Sequence, residues 1–430
     1  MIVEELHISI LMFEIIQPMI ITLRFFGLFP IGYKKSNNHY RLKWSMGYGI
    51  YSYVLCMGLI LWTVYSIIDD IRKPLETSFR MTDEKTRFVT GVDISIVVII
   101  MAYGTSTLHI KIRKFWKFLE YLNQAEQVIH IRYSSKYRKI SITFITILLS
   151  IVTVLFMYDW FSWSKQLKCE DKDIGEYFKS YMSFYILYSM VIIKEVLYWH
   201  VIYLLKIKIY LLNLDLEKIR ERIYVKGECF LQNIINNVYL ENNSGINMEQ
   251  LTGRSHTAST IVDKSDDSTD LARKLLFLSI YHEKIFEAVA VVNNSMEFCI
   301  PLIMLSCLLH LIVTPYFLLA KIISDDTDIY YICLQSIWFM GHVGRVLIIV
   351  EPCQSCINEH NKTSSVISDM LTYEVDDTIK KGMTMFSLQF NRWKLRFSSC
   401  GFFKISRALL TSIAGAVTTY LVILFQFNTT

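Results

Sequence analysis

Thr419-Tyr420-Leu421-Val422-Ile423-Leu424-Phe425-Gln426-Phe427 closes an uncharged stretch of sequence that begins at Ala408. Its length of about twenty residues is what an α-helix needs to cross the hydrocarbon core of a bilayer. The stretch keeps five polar side chains, which are Thr411, Ser412, Thr418, Thr419 and Gln426. Polar groups on a membrane helix need a partner or water, because lipid offers neither. Such a helix either bonds to neighbouring helices or lines an aqueous pore, and composition alone leaves both interpretations open.

Six more apolar stretches of membrane length precede this one in the 430-residue chain. In order, the seven predicted spans are Met46–Ile68, Phe88–Ile110, Ile140–Trp163, Tyr181–Leu205, Met296–Ala320, Ile329–Val350 and Ala408–Phe427. A hydrophobic content of 53%, with only 6 prolines and 16 glycines, fits a chain that is mostly helical and lies in a membrane. The predicted fold class is therefore all-α, a polytopic membrane protein with seven transmembrane helices.

The loop charges predict the orientation of these spans. Seven is an odd number, so the two termini lie on opposite sides of the membrane. With a cytoplasmic N-terminus, 32 Lys and Arg residues fall on the interior side and 10 on the exterior side. This bias predicts a cytoplasmic N-terminus and an exterior C-terminus. That orientation is opposite to the one found in G-protein-coupled receptors, and it excludes that class.

The spans and loops divide the chain into six predicted segments. Residues 241–270 are rich in Asn, Ser, Thr and Asp, a composition that predicts a disordered insert. Residues Ile8–Leu23 form an apolar stretch broken by Glu14 and Pro18, which is consistent with a short interfacial helix. In chain order the segments are a cytoplasmic N-terminal segment (1–45), transmembrane helices 1–4 (46–205), cytoplasmic helical extensions that hold the insert (206–294), transmembrane helices 5–6 (295–350), a cytoplasmic helical base (351–407) and transmembrane helix 7 (408–430).

Polar and aromatic side chains collect at the predicted exterior ends of four spans. Carboxylate, amide and imidazole groups hydrogen-bond to hydroxyls, and aromatic faces cover the C–H side of a sugar ring, so the set suits a small polyhydroxylated ligand. Trp and Tyr also form belts at membrane interfaces, and that alternative stays open for the aromatic residues. It does not account for the acidic Asp159 near hydrocarbon. The candidate ligand-binding residues are Asp159, Trp160, Trp163, Tyr188, His310, Thr314, Gln335 and Trp338.

Two charges lie deep within the predicted spans. Glu195 is fourteen residues from the exterior end of its span and Arg345 is sixteen residues from the exterior end of its own. At ~1.5 Å per residue, their depths differ by only about 3 Å. A pair between them would neutralise both charges, and a structural pair is the preferred interpretation over a substrate path.

Other functional classes lack support in the sequence. The basic residues are spread along loops rather than massed, which argues against nucleic-acid binding. Cys353 and Cys356 form an isolated Cys-x-x-Cys with no second pair in range, so no metal site is predicted there. His282-Glu283 lacks the second histidine of a zinc-protease helix. We expect no catalytic residues, no metal and no cofactor.

Three motifs give the chain a family resemblance. Thr419-Tyr420, five apolar residues and then Gln426-Phe427 resemble the signature of insect gustatory receptors. Cys400-Gly401-Phe402-Phe403 and Leu23–Pro30 are also similar to that family. The resemblance implies a tetrameric, ligand-gated cation channel in the plasma membrane of chemosensory neurons. The tetramer would be a homotetramer or a heteromer with related subunits.

The resemblance also bears on the pore. Residues three and four apart share a helix face, so Thr419, Val422, Ile423 and Gln426 form one stripe. The family implies that the positions of Gln426 and Phe427 lie at the narrowest exterior part of the pore. All five are candidate pore or gate residues.

A shorter match concerns the ligand. Ile349-Val350-Glu351-Pro352-Cys353 and Gln335-x-x-Trp338 resemble the fructose-sensing branch of the gustatory receptors. That branch implies a pocket in the exterior half of the helical bundle that responds to fructose or a related sugar. A receptor for bitter or other tastants, or a seven-helix receptor that is not a channel, remains an alternative.

Overall fold

Helices make up most of the computed structural model. It describes residues 5–36, 39–81, 83–128, 135–169, 173–243, 257–296, 298–323, 329–373, 375–399 and 401–429. The helices are α1 (Ile10–Phe25), α2 (Met46–Arg72), α3 (Glu84–Ser106), α4 (Leu108–Val128), α5 (Ser135–Cys169), α6 (Ile174–Asn243), α7 (Thr257–Ser295), α8 (Cys299–Ile323), α9 (Ile329–Met370), α10 (Asp377–Arg392) and α11 (Arg407–Thr429). The strands are β1 (Leu6–Ser9), β2 (Ile31–Ser36), β3 (His39–Trp44), β4 (Ser398–Ser399) and β5 (Phe403–Lys404).

Within the described residues, six helices are long and apolar enough to cross a membrane. They are α2, α3, α5, α8, α9 and α11. The predicted fourth span, Tyr181–Leu205, lies inside α6, which is not among the six. This part of α6 carries Lys194, Glu195 and several tyrosines, and most of it is buried. Because neighbouring helices cover it, the span does not need the apolar composition of a lipid-facing helix.

The centre of the bundle is α6. It packs against α2, α3, α5 and α9, while α8 packs on α9 and on α3. Leu187, Met190, Val191 and Ile202 of α6 are almost completely buried. We call the end of the bundle where α2 and α5 finish and where α3, α6 and α9 begin the pocket end.

A helical base lies at the other end of the bundle. It consists of α4, α7, α10 and the second halves of α6 and α9, with α7 packing against α4, α6 and α10. Lys208 of α6, 1% exposed, forms an ion pair with Glu126 of α4. Asn213 of α6 donates to Glu359 Oε1 at 2.9 Å and accepts from Thr363 Oγ1 at 2.6 Å. These polar contacts fix α6 against α4 and α9.

The helices of the base extend into the predicted insert from both sides. Of the residues 241–270, α6 includes 241–243 and α7 includes 257–270. Residues 244–256 lie outside the described residues. The composition predicted disorder for all of residues 241–270, but α6 and α7 extend into the two ends of this segment.

The N-terminal segment holds more structure than predicted. The expected short helix is α1, which packs one face against α5 and α6 and leaves Leu11, Ile21 and Phe25 exposed on the other. Strand β3 pairs antiparallel with β1 and with β2, so the three form a small sheet that the sequence pattern did not predict. The helix α1 ends at Gly27, whose positive φ of 64° lets Leu28 N–H bond to Leu23 O at 2.8 Å.

Candidate functional site

Seven of the eight candidate ligand-binding side chains line one cavity at the pocket end, which we call the pocket. It has a volume of about 180 Å³. Four helices bring these residues together: α5 near its end, α6 and α9 near their beginnings, and α8 at and just after its middle. The seven are Asp159, Trp163, Tyr188, His310, Thr314, Gln335 and Trp338.

The eighth candidate, Trp160, does not line the pocket. Its ring packs against Phe178 with 5.4 Å between centroids, in a separate groove between α5 and α6. Asp159 and Trp163 are four residues apart and share a helix face, whereas Trp160 is rotated by about 100° from Asp159. Trp160 was predicted because it is adjacent to Asp159 in the sequence, but its side chain faces away from the pocket.

An acidic group stands at the centre of the pocket wall. Asp159 is 2% exposed, and its carboxylate accepts from Arg80 Nη2 at 2.7 Å and from Trp338 Nε1 at 2.9 Å. The hydroxyl of Tyr185 also donates to it. Burial of a carboxylate is costly unless the charge is paired and hydrogen-bonded, and here both conditions are met. Asp159 thereby fixes α5, α6 and α9 against one another beside the cavity.

The sequence analysis missed Arg80, which lies in the loop between α2 and α3. Its guanidinium reaches into the pocket, donates from Nε to the Tyr177 hydroxyl at 3.0 Å, and lies 4.9 Å from the ring centres of Trp163 and Tyr181. The aromatic rings and Asp159 enclose the cation. The sequence offers only a weak indication of this role, because Arg80 is one of several loop arginines. The one indication was that Asp159, an acid in a predicted span, needed a cationic partner.

A second polar pair lies across the pocket on α3 and α8. His310 Nε2 is 2.8 Å from Asp93 Oδ1. The His310 ring stacks on His342 with 4.0 Å between centroids and an interplanar angle of 14°. His342 in turn stacks on Trp338 at 5.8 Å. Polar groups and aromatic faces therefore alternate around the wall.

The buried ion pair expected from the sequence lies just below the pocket. Arg345 donates from Nη2 to Glu195 Oε1 at 2.6 Å and from Nε to the same oxygen at 3.0 Å. Its Nη1 donates to the Tyr188 hydroxyl at 2.6 Å. Since Tyr188 lines the pocket, the pair on α6 and α9 is connected directly to the pocket wall.

The pocket is small and chemically mixed. At about 180 Å³ it is below the ~300–1,000 Å³ of pockets that hold drug-sized ligands. Asp159, His310, Thr314 and Gln335 provide hydrogen-bonding groups, and Trp338 provides a flat apolar face. The arrangement can hold a compact ligand that carries several hydroxyls. Over the described residues, no three His, Cys, Asp or Glu side chains are placed to hold a metal ion.

The candidate pore residues are on α11, the helix least covered by the rest of the chain. No residue of Arg407–Leu424 is buried, although α11 packs against α8 and α9. Thr419, Val422, Ile423 and Gln426 are all exposed, so the predicted stripe lies on a surface that this chain leaves open. The side chain of Phe427 lies outside the described part of the structure.

Hydroxyl groups on α11 bond to the helix itself. Thr418 Oγ1 donates to Ala414 O and Thr419 Oγ1 to Gly415 O, each at 2.9 Å. Thr411 and Ser412 donate to Ala408 O. A threonine satisfied in this way does not require a pore, so these four residues do not decide between the two interpretations of the helix.

Comparison with known proteins gives one family model that matches most of the chain. The model is described as 7tm chemosensory receptor and matches residues 16–430. A Drosophila melanogaster protein named gustatory receptor for sugar taste 43a is 25% identical over 391 residues, which cover 89% of this chain and 90% of that protein. Another protein of that species, putative gustatory receptor 28b, is 27% identical over 153 residues, or 34% of this chain and 33% of its own.

Solved structures with the same fold are insect olfactory receptors. OR5 from Machilis hrabei superposes with a TM-score of 0.61 at 14% identity, covering 96% of this chain and 97% of that one. The complex of OR5 with eugenol gives a TM-score of 0.59, again at 14% identity, with coverage of 97% and 98%. At this identity the similarity concerns the fold alone.

Proposed function

Because the chain belongs to the 7tm chemosensory receptor family, a family of receptors rather than enzymes, we propose that it is a gustatory receptor that acts as a ligand-gated cation channel. We propose further that a small sugar such as fructose opens it. One observation carries this proposal: seven side chains chosen from the sequence for sugar recognition line a single cavity. The relative whose name includes sugar taste aligns over nearly the whole chain, which supports the same ligand class.

The pocket chemistry favours a hydroxylated ligand of modest size. Asp159 and Asp93 can accept hydrogen bonds from ligand hydroxyls, while His310, Thr314 and Gln335 can donate or accept. Trp338 can cover the C–H face of a sugar ring. A small cavity excludes bulky lipophilic molecules by size, and its buried polar groups disfavour apolar ones, which would leave them unpaired.

The pore is formed by α11 from several copies of the chain, in a homotetramer or a heteromer with related subunits. The exposed stripe of Thr419, Val422, Ile423 and Gln426, which a single chain leaves uncovered, supports this arrangement. In a multi-pass protein of the plasma membrane of sensory neurons, the stripe faces the axis of the assembly and water. Apolar positions can close such a pore by dewetting, and polar positions interrupt the barrier.

Two helices connect the pocket to the pore. His310 and Thr314 lie on α8, Gln335 and Trp338 lie on α9, and α11 packs against both helices. A sugar that binds more tightly when α8 and α9 are in the open arrangement shifts the population toward the open pore. The pocket end faces the exterior, where the ligand arrives.

The test is ligand-evoked current in cells that express only this chain. We expect fructose to evoke a cation current that persists when G proteins are blocked. Trp338→Ala should abolish or strongly weaken the response, while Trp160→Ala serves as a matched control because that indole lies outside the pocket. A channel opened by bitter compounds and not by any sugar would refute the ligand class. A sugar response without current would refute the channel.

A further inference from the structure

A second cavity lies where α3 passes into α4, on the base side of Glu195. It has a volume of about 70 Å³, and we call it the junction cavity. The turn at Gly27, the α7–α8 junction and helices α2 and α6 complete its wall. Its lining includes Cys56, Gly104, Thr105, Lys111, Lys194, Ser295 and Cys299.

Two ammonium groups face this cavity without a carboxylate. Lys194 Nζ is 3.4 Å from Ile100 O and 3.2 Å from Met101 Sδ. Lys111 Nζ is 3.2 Å from Cys299 Sγ and 4.6 Å from the ring centre of Tyr103. The cavity lining contains no acidic residue, and among the described residues neither lysine forms an ion pair.

Three other cations inside the bundle do have a carboxylate partner. Arg80 meets Asp159, Arg345 meets Glu195, and Lys208 meets Glu126. A charge taken out of water normally needs such a partner. Two lysines without a carboxylate beside one cavity therefore form a positively charged site that an anion from outside the chain could neutralise.

The position of Lys194 depends on a glycine. A Cβ atom at position 104 would overlap Lys194 Nζ, so any other residue at that position of α3 would push the ammonium aside. Gly104 lets the ammonium lie against the α3 backbone, where its remaining N–H groups can point into the cavity. The absence of a side chain at Gly104 thus leaves room for the Lys194 ammonium group, and any larger residue at position 104 would occupy that space.

We propose that the junction cavity binds a phosphate group, carried either by a soluble phosphate compound or by the headgroup of a membrane lipid. Lysine binds phosphate as a point charge, and two of them match the two negative charges of a phosphate monoester. The cavity exceeds the ~30 Å³ share of one water molecule and is too small for most organic ligands. Thr105 and Ser295 supply further hydroxyl groups in the lining.

The proposal does not depend on the ligand or the gating proposed above. A phosphate in this position would connect α4 and α6 through the charges of Lys111 and Lys194, with the hydroxyl of Thr105 on α3 beside them. Because it would bind the folded protein and not the unfolded chain, it would raise the melting temperature, and the rise would grow with the logarithm of its concentration above the dissociation constant. Stability is therefore the direct measurement, and no channel activity is needed.

The experiment uses the purified full-length protein and three probes. The probes are inorganic phosphate, soluble inositol hexakisphosphate, and mixed micelles of phosphatidylcholine with or without phosphatidylinositol bisphosphate. We expect at least one phosphate probe to raise the melting temperature of the wild type. Lys111→Met and Lys194→Met should each weaken that probe's affinity about tenfold or more. Lys117, on α4 like Lys111, is exposed and lies outside the cavity. Lys117→Met should therefore leave the affinity for the probe unchanged.

Two comparisons decide between the possible outcomes. If only the anionic micelles raise the melting temperature, the cavity binds the phosphate of a lipid headgroup. If the soluble probes also raise it, the cavity accepts the phosphate of a soluble compound. Without any probe, Lys194→Met should melt at or above the wild-type temperature, because it removes an uncompensated charge, whereas a purely structural lysine would make the variant less stable. No effect of any probe on the wild type, or equal effects on the wild type and both cavity variants, would overturn the proposal.

Discussion

Gln335 is the pocket residue best suited to a binding test. It lines the pocket and takes no part in the Asp159 cluster. Losing one buried polar contact with a ligand typically costs about 1–3 kcal/mol. Gln335→Ala should therefore shift the sugar dose response about tenfold or more. Ser336→Ala is the matched control, because Ser336 bonds to Ile332 O and does not line the pocket. Equal dose responses in the two variants would rule Gln335 out as a ligand contact.

The pair of Arg345 and Glu195 makes a different kind of prediction. Removing one member of a buried ion pair leaves an uncompensated charge, at a cost of about 3–5 kcal/mol. We expect Arg345→Leu to reduce the amount of receptor at the cell surface, measured by surface labelling. Arg345→Leu with Glu195→Leu should recover part of the loss. A double variant no better than the single one would mean that the contact between the two charges contributes little to stability.

At the residue scale, helical spacing explains both the success and the failures of the sequence analysis. Seven of the eight candidate residues line one cavity, whereas Trp160 faces away because it is rotated by about 100° from Asp159 on α5. Depth along the spans was enough to bring Glu195 and Arg345 together. Arg80 was not predicted because residues in a loop show no helical periodicity. Its position inside the bundle depends on how the loop between α2 and α3 folds back.

The stripe on α11 leads to an accessibility test. If Gln426 faces the pore, a cysteine at that position should react with a water-soluble thiol reagent faster with sugar than without. Leu421 lies on the opposite, partly covered face of α11, so Leu421→Cys should react slowly in both conditions. We also expect Phe427→Ala to raise the current without ligand, because it removes an apolar constriction. Slow, sugar-independent labelling at position 426 in normally gated channels would show that this helix does not line the gate.

In the base, a pair of stacked histidines predicts acid sensitivity. His282 of α7 lies 5.3 Å from His360 and packs on Phe386 and Phe390. Burial, and to a smaller extent the neighbouring His360, together lower the pKa of His282 to about 3. Above about pH 6.5 the ring is neutral in the folded and the unfolded protein, so it has no effect on stability. Below that pH the unfolded chain takes up a proton and the folded one does not, so stability falls.

The size of this effect can be measured. Between about pH 7.5 and about pH 5, His282 should account for about 2 kcal/mol of lost stability. His282→Phe keeps an aromatic ring in the stack and removes the titration, so its melting temperature should fall less across that range than that of the wild type. Equal losses in both proteins would show that His282 takes up a proton in the folded state.

At the element scale, the apolar composition of a membrane span is clearer in the six other spans than in the covered span of α6. Helices α2, α3, α5, α8, α9 and α11 met the criteria for a membrane span because lipid selects for apolar surface. The central α6 is selected for packing and polar pairing, so its hydropathy is a weaker signal. Strand β1 pairs with β3 across about thirty residues of sequence, which a local pattern does not reveal, and β2 and β3, although neighbours in the sequence, are only six residues long.

For the whole molecule, orientation is the prediction that the charges support. Because 32 of the 42 Lys and Arg residues outside the spans fall on one side, an N-terminal tag should be inaccessible to antibody on intact cells. A C-terminal tag should be accessible, and permeabilising the cells should expose both. The opposite labelling pattern would place the pocket end on the interior side and refute the proposed route of the ligand.

One property of α6 has a mechanical consequence. From Ile174 to Asn243 the helix contains no proline, and it passes from the pocket residue Tyr188 to Asn213 in the base. At ~1.5 Å per residue these two positions are about 37 Å apart along the axis. A rod of this length acts as a lever: a tilt of about 5° about Tyr188 would move Asn213 by about 3 Å. A small movement at the pocket would thus become a displacement in the base large enough to change which side chains meet there.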